Sequence, residues 1–361
     1  MHRLLMVAGP AEIEKDILEL GAVAPDYMRT PEFSDVLGRV YRNLQYAFQT
    51  KSPVFLFSSS GTGAMEAAVS NFLTSGDTVL AINGGSFGQR WCDICKAHNI
   101  LCIEEKVEFG KSLEIEKIRM VLERNRNTKA LLATLNETSS GAKTDIESLG
   151  KLLANFPDVL FIVDCVSGLL VEKMCMDEWG IDVAISCSQK ALALPPGLAF
   201  LAASDKALSM AKTCTTRPFY FDVLDYHSNW KRNQTPFTPP ITLVIQLDAR
   251  LTKIRQEGLE AFRKRYEYNT QLIRDGIANF GFDVFAENPA NCVTGIFTEN
   301  FDTQKLIDIM RYEHNIEFAS SSGTLAHRFF RIGNFGNINE HNIDYMLKAL
   351  EETLTSMGVL L

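Results

Sequence analysis

The chain has 361 residues, of which 46% are hydrophobic and 22% charged, as is usual for a globular protein. This composition excludes a disordered or fibrous chain, and a formal net charge of -8 without a Lys/Arg-rich run argues against a nucleic-acid partner. There is no apolar stretch of about 18 residues and no signal-peptide pattern, so we expect a cytoplasmic protein.

Between residues 53 and 205 short apolar runs alternate with helical patterns. Several of the runs are continuously apolar, as strands buried on both faces must be, and the alternation predicts a mostly parallel sheet covered by helices. Predicted strands are 54–57, 78–82, 101–104, 130–135, 160–164, 183–186 and 198–202, and predicted helices are 64–73, 88–97, 114–123 and 146–155.

The second half of the chain follows a different pattern. Residues 217–240 are rich in Pro, Asn and aromatics and predict a long functional loop, and a helical run follows from 241 to about 278. The segments 282–285, 293–297, 303–314, 329–332 and 340–357 mix strands and helices. We therefore predict an N-terminal segment (1–18) that lines the active site, a large domain (19–258) and a small α+β domain (259–361).

A loop rich in glycine and hydroxyl side chains connects the first predicted strand to a helix. It reads SGTGA over residues 60–64, and a helix that starts there presents free backbone N–H groups and a positive dipole end to an anion. A dinucleotide-binding glycine pattern is excluded because Glu66 stands where its third glycine is needed. The loop predicts either a phosphate site or a plain strand–turn–helix connection.

Two ionisable residues follow strands of the predicted sheet. Asp164 ends the strand 160–164, and the carboxyl ends of parallel strands are where such sheets bind ligands. Lys190 follows the strand 183–186, and a buried lysine loses its charge readily and can attack a carbonyl. A turn-capping Asp164 and a surface Lys190 are the alternatives.

Together these three features match the needs of one cofactor. Pyridoxal 5′-phosphate (PLP) requires an anion site for its phosphate, a carboxylate facing its pyridinium nitrogen and a lysine for a Schiff base. The loop at 60–63, Asp164 and Lys190 supply them in that order. We therefore predict a PLP enzyme whose Schiff base forms on Lys190.

Short motifs along nearly the whole chain strengthen this interpretation as a set. They are Gly9-Pro10, SGTGAMEA (60–67), NGGSFGQR (83–90), NETSSG (136–141), Asp164, SCSQKAL (186–192), Arg217-Pro218, TPP (238–240) and RIG (331–333). Together they resemble the class V, fold-type I aminotransferases, in particular the alanine–glyoxylate and serine–pyruvate branch. This resemblance implies an α/β large domain with a mostly parallel sheet and a smaller α+β C-terminal domain.

The resemblance also implies a set of cofactor-binding residues, position by position. Phe87 matches the aromatic residue that stacks on the pyridine ring, with a core position as the alternative. Asp164 would pair with the ring nitrogen, and Thr138 would lie near the phenolic oxygen. Positions that match phosphate ligands are Ser60, Gly61, Thr62, Gly63 and Ser188, together with Thr235 and Thr238 reaching across a homodimer.

Arg331 matches the residue that clamps the substrate α-carboxylate, because a guanidinium can donate two parallel hydrogen bonds to a carboxylate. A structural salt bridge is the alternative. Gly9 and Arg29 lie in two regions that line the substrate pocket in relatives. Both regions depart from the family pattern, as Ala8 replaces its first proline and Tyr27-Met28 replaces Ser/His-His, so the substrate stays open.

The predicted reaction is a ping-pong transamination between a small amino acid, such as alanine or serine, and glyoxylate or pyruvate. Lys190 is the base that moves the Cα proton, and Asp164 keeps the ring nitrogen protonated. One alternative is a 2-aminoethylphosphonate transaminase, for which Arg29 could supply positive charge. The others are a lyase such as a cysteine desulfurase, which Phe87 in place of a stacking histidine disfavours, and a non-catalytic binding protein.

Eight cysteines are scattered through apolar stretches, which favours reduced thiols in the cytoplasm. Cys92 and Cys95 have CxxC spacing, but they lie within a predicted helix without a second pair or a histidine cluster. We therefore predict no metal site.

Overall fold

The computed structural model of the chain describes residues 3–25 and 27–360. Its strands are β1 (Leu4–Met6), β2 (Val54–Phe57), β3 (Thr78–Asn83), β4 (Leu101–Lys106), β5 (Thr128–Thr134), β6 (Asn136–Glu137), β7 (Ala142–Lys143), β8 (Leu160–Asp164), β9 (Val183–Cys187), β10 (Ala199–Ala203), β11 (Val293–Phe297), β12 (Ile316–Ser320) and β13 (Phe329–Gly333). Its helices are α1 (Lys15–Leu20), α2 (Pro31–Phe48), α3 (Gly61–Phe72), α4 (Ser86–Ala97), α5 (Ile115–Arg124), α6 (Ile146–Leu153), α7 (Asp205–Thr213), α8 (Val223–Trp230), α9 (Ile241–Glu257), α10 (Leu259–Asn279), α11 (Thr303–Tyr312) and α12 (Glu340–Ser356).

A seven-stranded sheet with the order β2-β10-β9-β8-β5-β3-β4 forms the centre of the molecule. Its strands run parallel except β10, which pairs antiparallel with both β2 and β9. The ends of β2, β8 and β9 therefore lie at the same edge of the sheet. The predicted α/β fold with a mostly parallel sheet flanked by helices is confirmed.

The continuously apolar strands are buried on both faces. Phe161 and Val163 of β8 belong to one hydrophobic cluster, whereas Leu160 and Ile162 belong to another on the opposite face. This alternation follows from the two-residue period of a strand, and helices supply the apolar side chains that cover each face.

A smaller sheet with the order β1-β12-β13-β11 packs against α10, α11 and α12. β1 pairs parallel with β12, although the two strands lie at opposite ends of the chain. The N-terminal segment thus contributes a strand to the sheet of the C-terminal part. The predicted domain boundaries stay a prediction.

Three expectations about the second half of the chain need correction. The predicted loop 217–240 contains α8, which Asp222 caps by accepting a hydrogen bond from Leu224 N–H and which buries Val223 and Tyr226. The predicted helical run 241–278 is two helices, because Gly258 adopts φ 85° between α9 and α10. Segment 282–285 is not a strand; its apolar character reflects packing of Phe285 against other aromatic rings.

No helix within residues 3–25 and 27–360 is long and apolar enough to cross a membrane. Cys92 and Cys95 both lie in α4, as predicted, and all eight cysteines are free. Across the same described ranges no group of three or more His, Cys, Asp or Glu side chains is arranged to hold a metal ion.

Candidate active site

A cavity of about 330 Å³ opens at the edge of the large sheet where β2, β8 and β9 end. It brings together residues that are far apart in the sequence and that the sequence motifs singled out. The lining residues are Gly9, Pro10, Ser60, Gly61, Thr62, Met65, Phe87, Arg90, Asp164, Val166, Gln189, Lys190 and Pro196.

The first turn of α3 forms one wall of this cavity. Ser60 precedes the helix and makes no side-chain cap, so its hydroxyl binds none of the N–H groups of the first turn. A side chain at Gly61 would place its Cβ 2.8 Å from Val166, and one at Gly63 would place it 2.7 Å from the Ser59 hydroxyl. The glycines allow close packing around a helix N-terminus that can bind an anion.

Asp164, the last residue of β8, is only 3% exposed. One carboxylate oxygen accepts a hydrogen bond from Val166 N–H at 2.8 Å, and no lysine or arginine in the described part of the chain forms an ion pair with it. Burial, with a smaller contribution from the charge of Glu137, raises the pKa of Asp164 to about 6. A buried carboxylate in this condition is stabilised by a cation that enters the cavity.

Lys190 faces the same cavity and is 8% exposed. Burial lowers the pKa of its amine, with the charge of Arg331 acting in the same direction. The amine donates to the carbonyl of Ala8 and lies 5.2 Å from the centre of the Phe335 ring. A Cβ at Gly9 would come within 2.8 Å of the amine nitrogen, so glycine is required for this approach.

Phe87 and Arg90 lie one turn apart near the start of α4, and both line the cavity. The Arg90 guanidinium carbon is 4.8 Å from the centre of the Phe87 ring, and Arg90 Nη1 donates to the Thr62 hydroxyl at 3.0 Å. We did not predict a role for Arg90 from the sequence. Its place three residues after Phe87, near the start of the predicted helix 88–97, was the available signal.

Gln189, rather than Ser188, lines the cavity after β9. The Ser188 hydroxyl is fully buried; it donates to the carbonyl of Pro195 at 2.8 Å and accepts from Leu198 N–H at 3.3 Å. The predicted contact of Ser188 with a phosphate therefore does not match this geometry. The Gln189 Oε1 atom is buried and has no hydrogen-bond partner among the described residues, so it is available to a ligand.

Arg331 in β13 reaches the segment that carries Thr138. Arg331 Nη1 donates to the Thr138 carbonyl at 2.9 Å, and Nη2 donates to the Ser320 carbonyl at 2.6 Å. Its Nε is buried and lacks a partner within residues 3–25 and 27–360, and burial lowers the pKa of the guanidinium. The Thr138 hydroxyl is 2.7 Å from the Ser167 hydroxyl.

Thr235 and Thr238 lie on the segment that precedes α9, and Arg29, which precedes α2, contacts this segment; none of the three lines the cavity. Arg29 donates to the Thr235 carbonyl at 2.7 Å, to Gln234 Oε1 at 2.8 Å and to the Pro236 carbonyl at 3.3 Å. The Thr235 hydroxyl donates to the Phe237 carbonyl at 2.7 Å, whereas Thr238 is exposed. The roles predicted for these three residues stay predictions.

Comparison with known proteins gives the cavity its context. The family model "Aminotransferase class-V" matches residues 27–328. A soluble hydrogenase small subunit of Synechococcus sp. is 32% identical over 98% of this chain and 94% of its own length. An uncharacterized aminotransferase of Methanocaldococcus jannaschii is 34% identical over 99% and 94%.

Two further relatives carry the name of a reaction. An L-aspartate–glyoxylate aminotransferase of Paracoccus denitrificans is 31% identical over 98% of this chain and 92% of its own. The crystal structure of an alanine–glyoxylate aminotransferase from Nostoc sp. superposes with a TM-score of 0.94 at 29% identity, covering 98% of this chain and 96% of that one. With a buried lysine and a buried carboxylate meeting in the cavity of this fold, the chain belongs to the class V aminotransferase family.

Proposed function

We propose that this protein is a PLP-dependent aminotransferase that moves an amino group between a small amino acid and glyoxylate or pyruvate. One observation carries the proposal: Asp164 and Lys190 are buried in one cavity, beside the free N-terminus of α3. Burial raises the pKa of Asp164 to about 6 and lowers that of the Lys190 amine, which brings both pKa values closer to neutral pH. Perturbed pairs of this kind mark acid–base sites.

The residues present fit PLP. The turn from Ser60 to Gly63 would receive the phosphate at a helix N-terminus, and the Arg90 guanidinium lines the same cavity. Asp164 has no cationic partner among the described residues, and a protonated ring nitrogen would supply one. Phe87 would cover the ring, and Thr138 would lie near the phenolic oxygen.

Bound PLP supplies an electron sink for the bond broken at the substrate Cα. The side chains that act around it belong to this chain. Lys190, whose amine pKa is lowered by burial, would be the nucleophile toward the cofactor carbonyl and the base that takes and returns the Cα proton. Asp164 would keep the ring nitrogen protonated through its opposite charge.

Arg331 would hold the substrate α-carboxylate with Nε, which has no partner among the described residues. Its two Nη atoms are fixed by the carbonyls of Thr138 and Ser320, so the guanidinium is oriented before substrate binds. The Arg29 guanidinium already donates hydrogen bonds to the segment 234–236. Arg29 therefore does not supply a second positive charge for a phosphonate group. This favours a small amino acid over an aminophosphonate as the donor.

The exposed segment around α8 supports a homodimer with shared active sites. Phe219 is 86% exposed and its ring packs against Phe237, while Tyr220 stacks on Phe237 at 5.0 Å. This aromatic surface adjoins the exposed Thr238, the residue proposed to reach a partner's phosphate site. A cytoplasmic location stays a prediction from the cysteine usage.

The dimer is tested by Phe219→Asp, with Tyr312→Asp as the control because Tyr312 is also exposed but lies on α11. We expect sedimentation to give a dimer for the parent and the control, and a monomer that binds PLP weakly for Phe219→Asp. A fully active monomer would refute the shared site.

The reaction is tested by titrating the cofactor-free protein with PLP and then with amino donors. Alanine, serine and aspartate are paired in turn with glyoxylate, pyruvate and 2-oxoglutarate. We expect a visible absorbance band on PLP addition that bleaches with a donor and returns with an acceptor. A band that no amino acid bleaches would reject transamination.

A further inference from the structure

Helix α4 begins without a cap of its own. The residue before it is Gly85, which has no side chain, and the first turn from Ser86 carries no acidic residue. Its free N–H groups are instead bound by a carboxylate from a distant part of the sequence. Glu137 accepts from Phe87 N–H at 3.1 Å and from Gly88 N–H at 3.0 Å.

Glu137 is 5% exposed, and hydrogen bonds hold its carboxylate in one position. One oxygen also accepts from Ser139 N–H at 3.2 Å and from the Ser139 hydroxyl at 2.5 Å. Gly85 permits this approach, because a Cβ there would lie 2.4 Å from the Ser139 hydroxyl oxygen and 2.8 Å from the Glu137 carboxyl carbon. Hydrogen bonds from backbone N–H groups to a carboxylate at a helix start are stronger than neutral ones.

The segment Glu137–Ser139 contacts both the start of α4, which carries the cavity-lining Phe87, and Arg331 of β13, which is not among the lining residues. The Ser139 hydroxyl accepts from Ser86 N–H at 3.0 Å, next to the ring of Phe87. The Thr138 carbonyl accepts from Arg331, as described above. Burial lowers the pKa of Arg331, and the negative charge of Glu137 opposes that effect. One buried carboxylate therefore acts on both the stacking residue and the substrate clamp.

We propose that Glu137 is a positioning residue that fixes Phe87 over the cofactor ring and supports the positive charge of Arg331 where the substrate carboxylate binds. This role rests on the proposed function, since Phe87 and Arg331 are its targets. Glu137 acts through these two residues and does not itself move a proton.

The test is a double-mutant cycle between Glu137→Gln and Phe87→Leu. Gln keeps the size of the side chain but removes the charge that the N–H groups of α4 face. We expect Glu137→Gln to weaken PLP binding about tenfold, the loss of one charge-assisted interaction, and to raise the KM of the amino donor more than it lowers kcat. In the Phe87→Leu background the same change should weaken PLP binding by less than about threefold.

Glu147→Gln is the matched control, because it removes a first-turn carboxylate from the surface helix α6. It should leave PLP affinity and KM at the parent values. Glu137→Asp keeps the charge but shortens the side chain, so KM should recover while PLP affinity stays reduced.

Equal weakening in both Phe87 backgrounds would reduce Glu137 to a purely structural role and overturn the proposal, as would unchanged PLP affinity and KM in Glu137→Gln. These results are distinct from a failure of the proposed function, which would show as a parent protein that binds no PLP or transfers no amino group. Thermal unfolding of each variant identifies any that loses its fold, and Glu137→Asp then supplies the test.

Discussion

Each edge of the large sheet carries a cavity lined by acidic and basic side chains, but the two edges differ in whether these side chains are paired. At the amino edge, a cavity of about 420 Å³ is lined by carboxylates and lysines that include Asp182 and Lys206. Asp182 is 8% exposed, and it accepts from Phe161 N–H at 3.0 Å, Ser204 Oγ at 2.9 Å and Lys206 Nζ at 2.9 Å. At the carboxyl edge, Asp164 accepts from a single N–H group.

Neither cavity size nor the kind of residue distinguishes the two edges. The edges differ in how their charges are paired. At the amino edge Lys151 pairs with Glu147, and Lys206 pairs with Asp182. At the carboxyl edge no lysine or arginine of the described residues pairs with the buried Asp164, and the buried Oε1 of Gln189 has no hydrogen-bond partner among them. Unsatisfied buried groups are costly, so they mark the edge that a ligand completes.

The largest effect should come from removing the amine at the carboxyl edge. Lys190→Ala should abolish both the visible absorbance of the bound cofactor and amino transfer, because one side chain is both nucleophile and base. Lys206→Ala removes a lysine of the amino edge and should leave both unchanged. Spectra and turnover of the two purified variants decide this, and persistent transamination in Lys190→Ala would reject the assignment.

Arg331→Ala should raise the KM of amino and oxo acids while PLP affinity changes little. Loss of a buried charged pair costs about 2–5 kcal/mol, which corresponds to a KM increase of roughly thirtyfold or more. Arg328→Ala is the control, since Arg328 is exposed and pairs with Glu299 at 3.0 Å. Steady-state kinetics measure the KM of both variants. An unchanged KM in Arg331→Ala would mean that another residue binds the substrate carboxylate, and Arg29 would be the first residue to test.

A smaller effect should appear in the stability of the cofactor-free protein. Because burial raises the pKa of Asp164 to about 6, the folded state holds a proton that the unfolded state has already released. Stability from this group is present at low pH and is lost as pH rises through about 6. Between about pH 4 and pH 7 the parent should therefore lose about 2 kcal/mol more than Asp164→Asn.

Denaturant unfolding at the two pH values measures this difference, and the other carboxylates cancel between parent and variant. An equal slope in Asp164→Asn and the parent would show that Asp164 is ionised in the cofactor-free protein.

The sequence predicted the central sheet well because its strands, except the edge strand β4, are buried on both faces and read as continuous apolar runs. It did not predict β1 or β12, because pairing between chain ends leaves no local signal. The prediction of a loop over 217–240 was wrong for α8. The Pro and Asn residues on either side of this eight-residue helix indicated irregular structure and hid the helical pattern.

The candidate site divides in the same way. Asp164, Lys190 and the turn at Ser60 could be found because each follows a recognisable strand. The side chains that the sequence did not reveal are set by tertiary contacts: Arg90 through Thr62, Gln189 through the turn after β9, and Glu137 through α4. A cap supplied from fifty residues away has no signature in a single sequence.

The most direct test is Asp164→Asn in a single turnover with an amino donor. The side chain keeps its size, so Ser60–Gly63 and Lys190 should retain PLP and its visible band. What disappears is the charge that keeps the ring nitrogen protonated, so amino transfer should slow on the order of a thousandfold. Retained PLP with this slow absorbance change is the predicted result, and amino transfer at the parent's rate would contradict it.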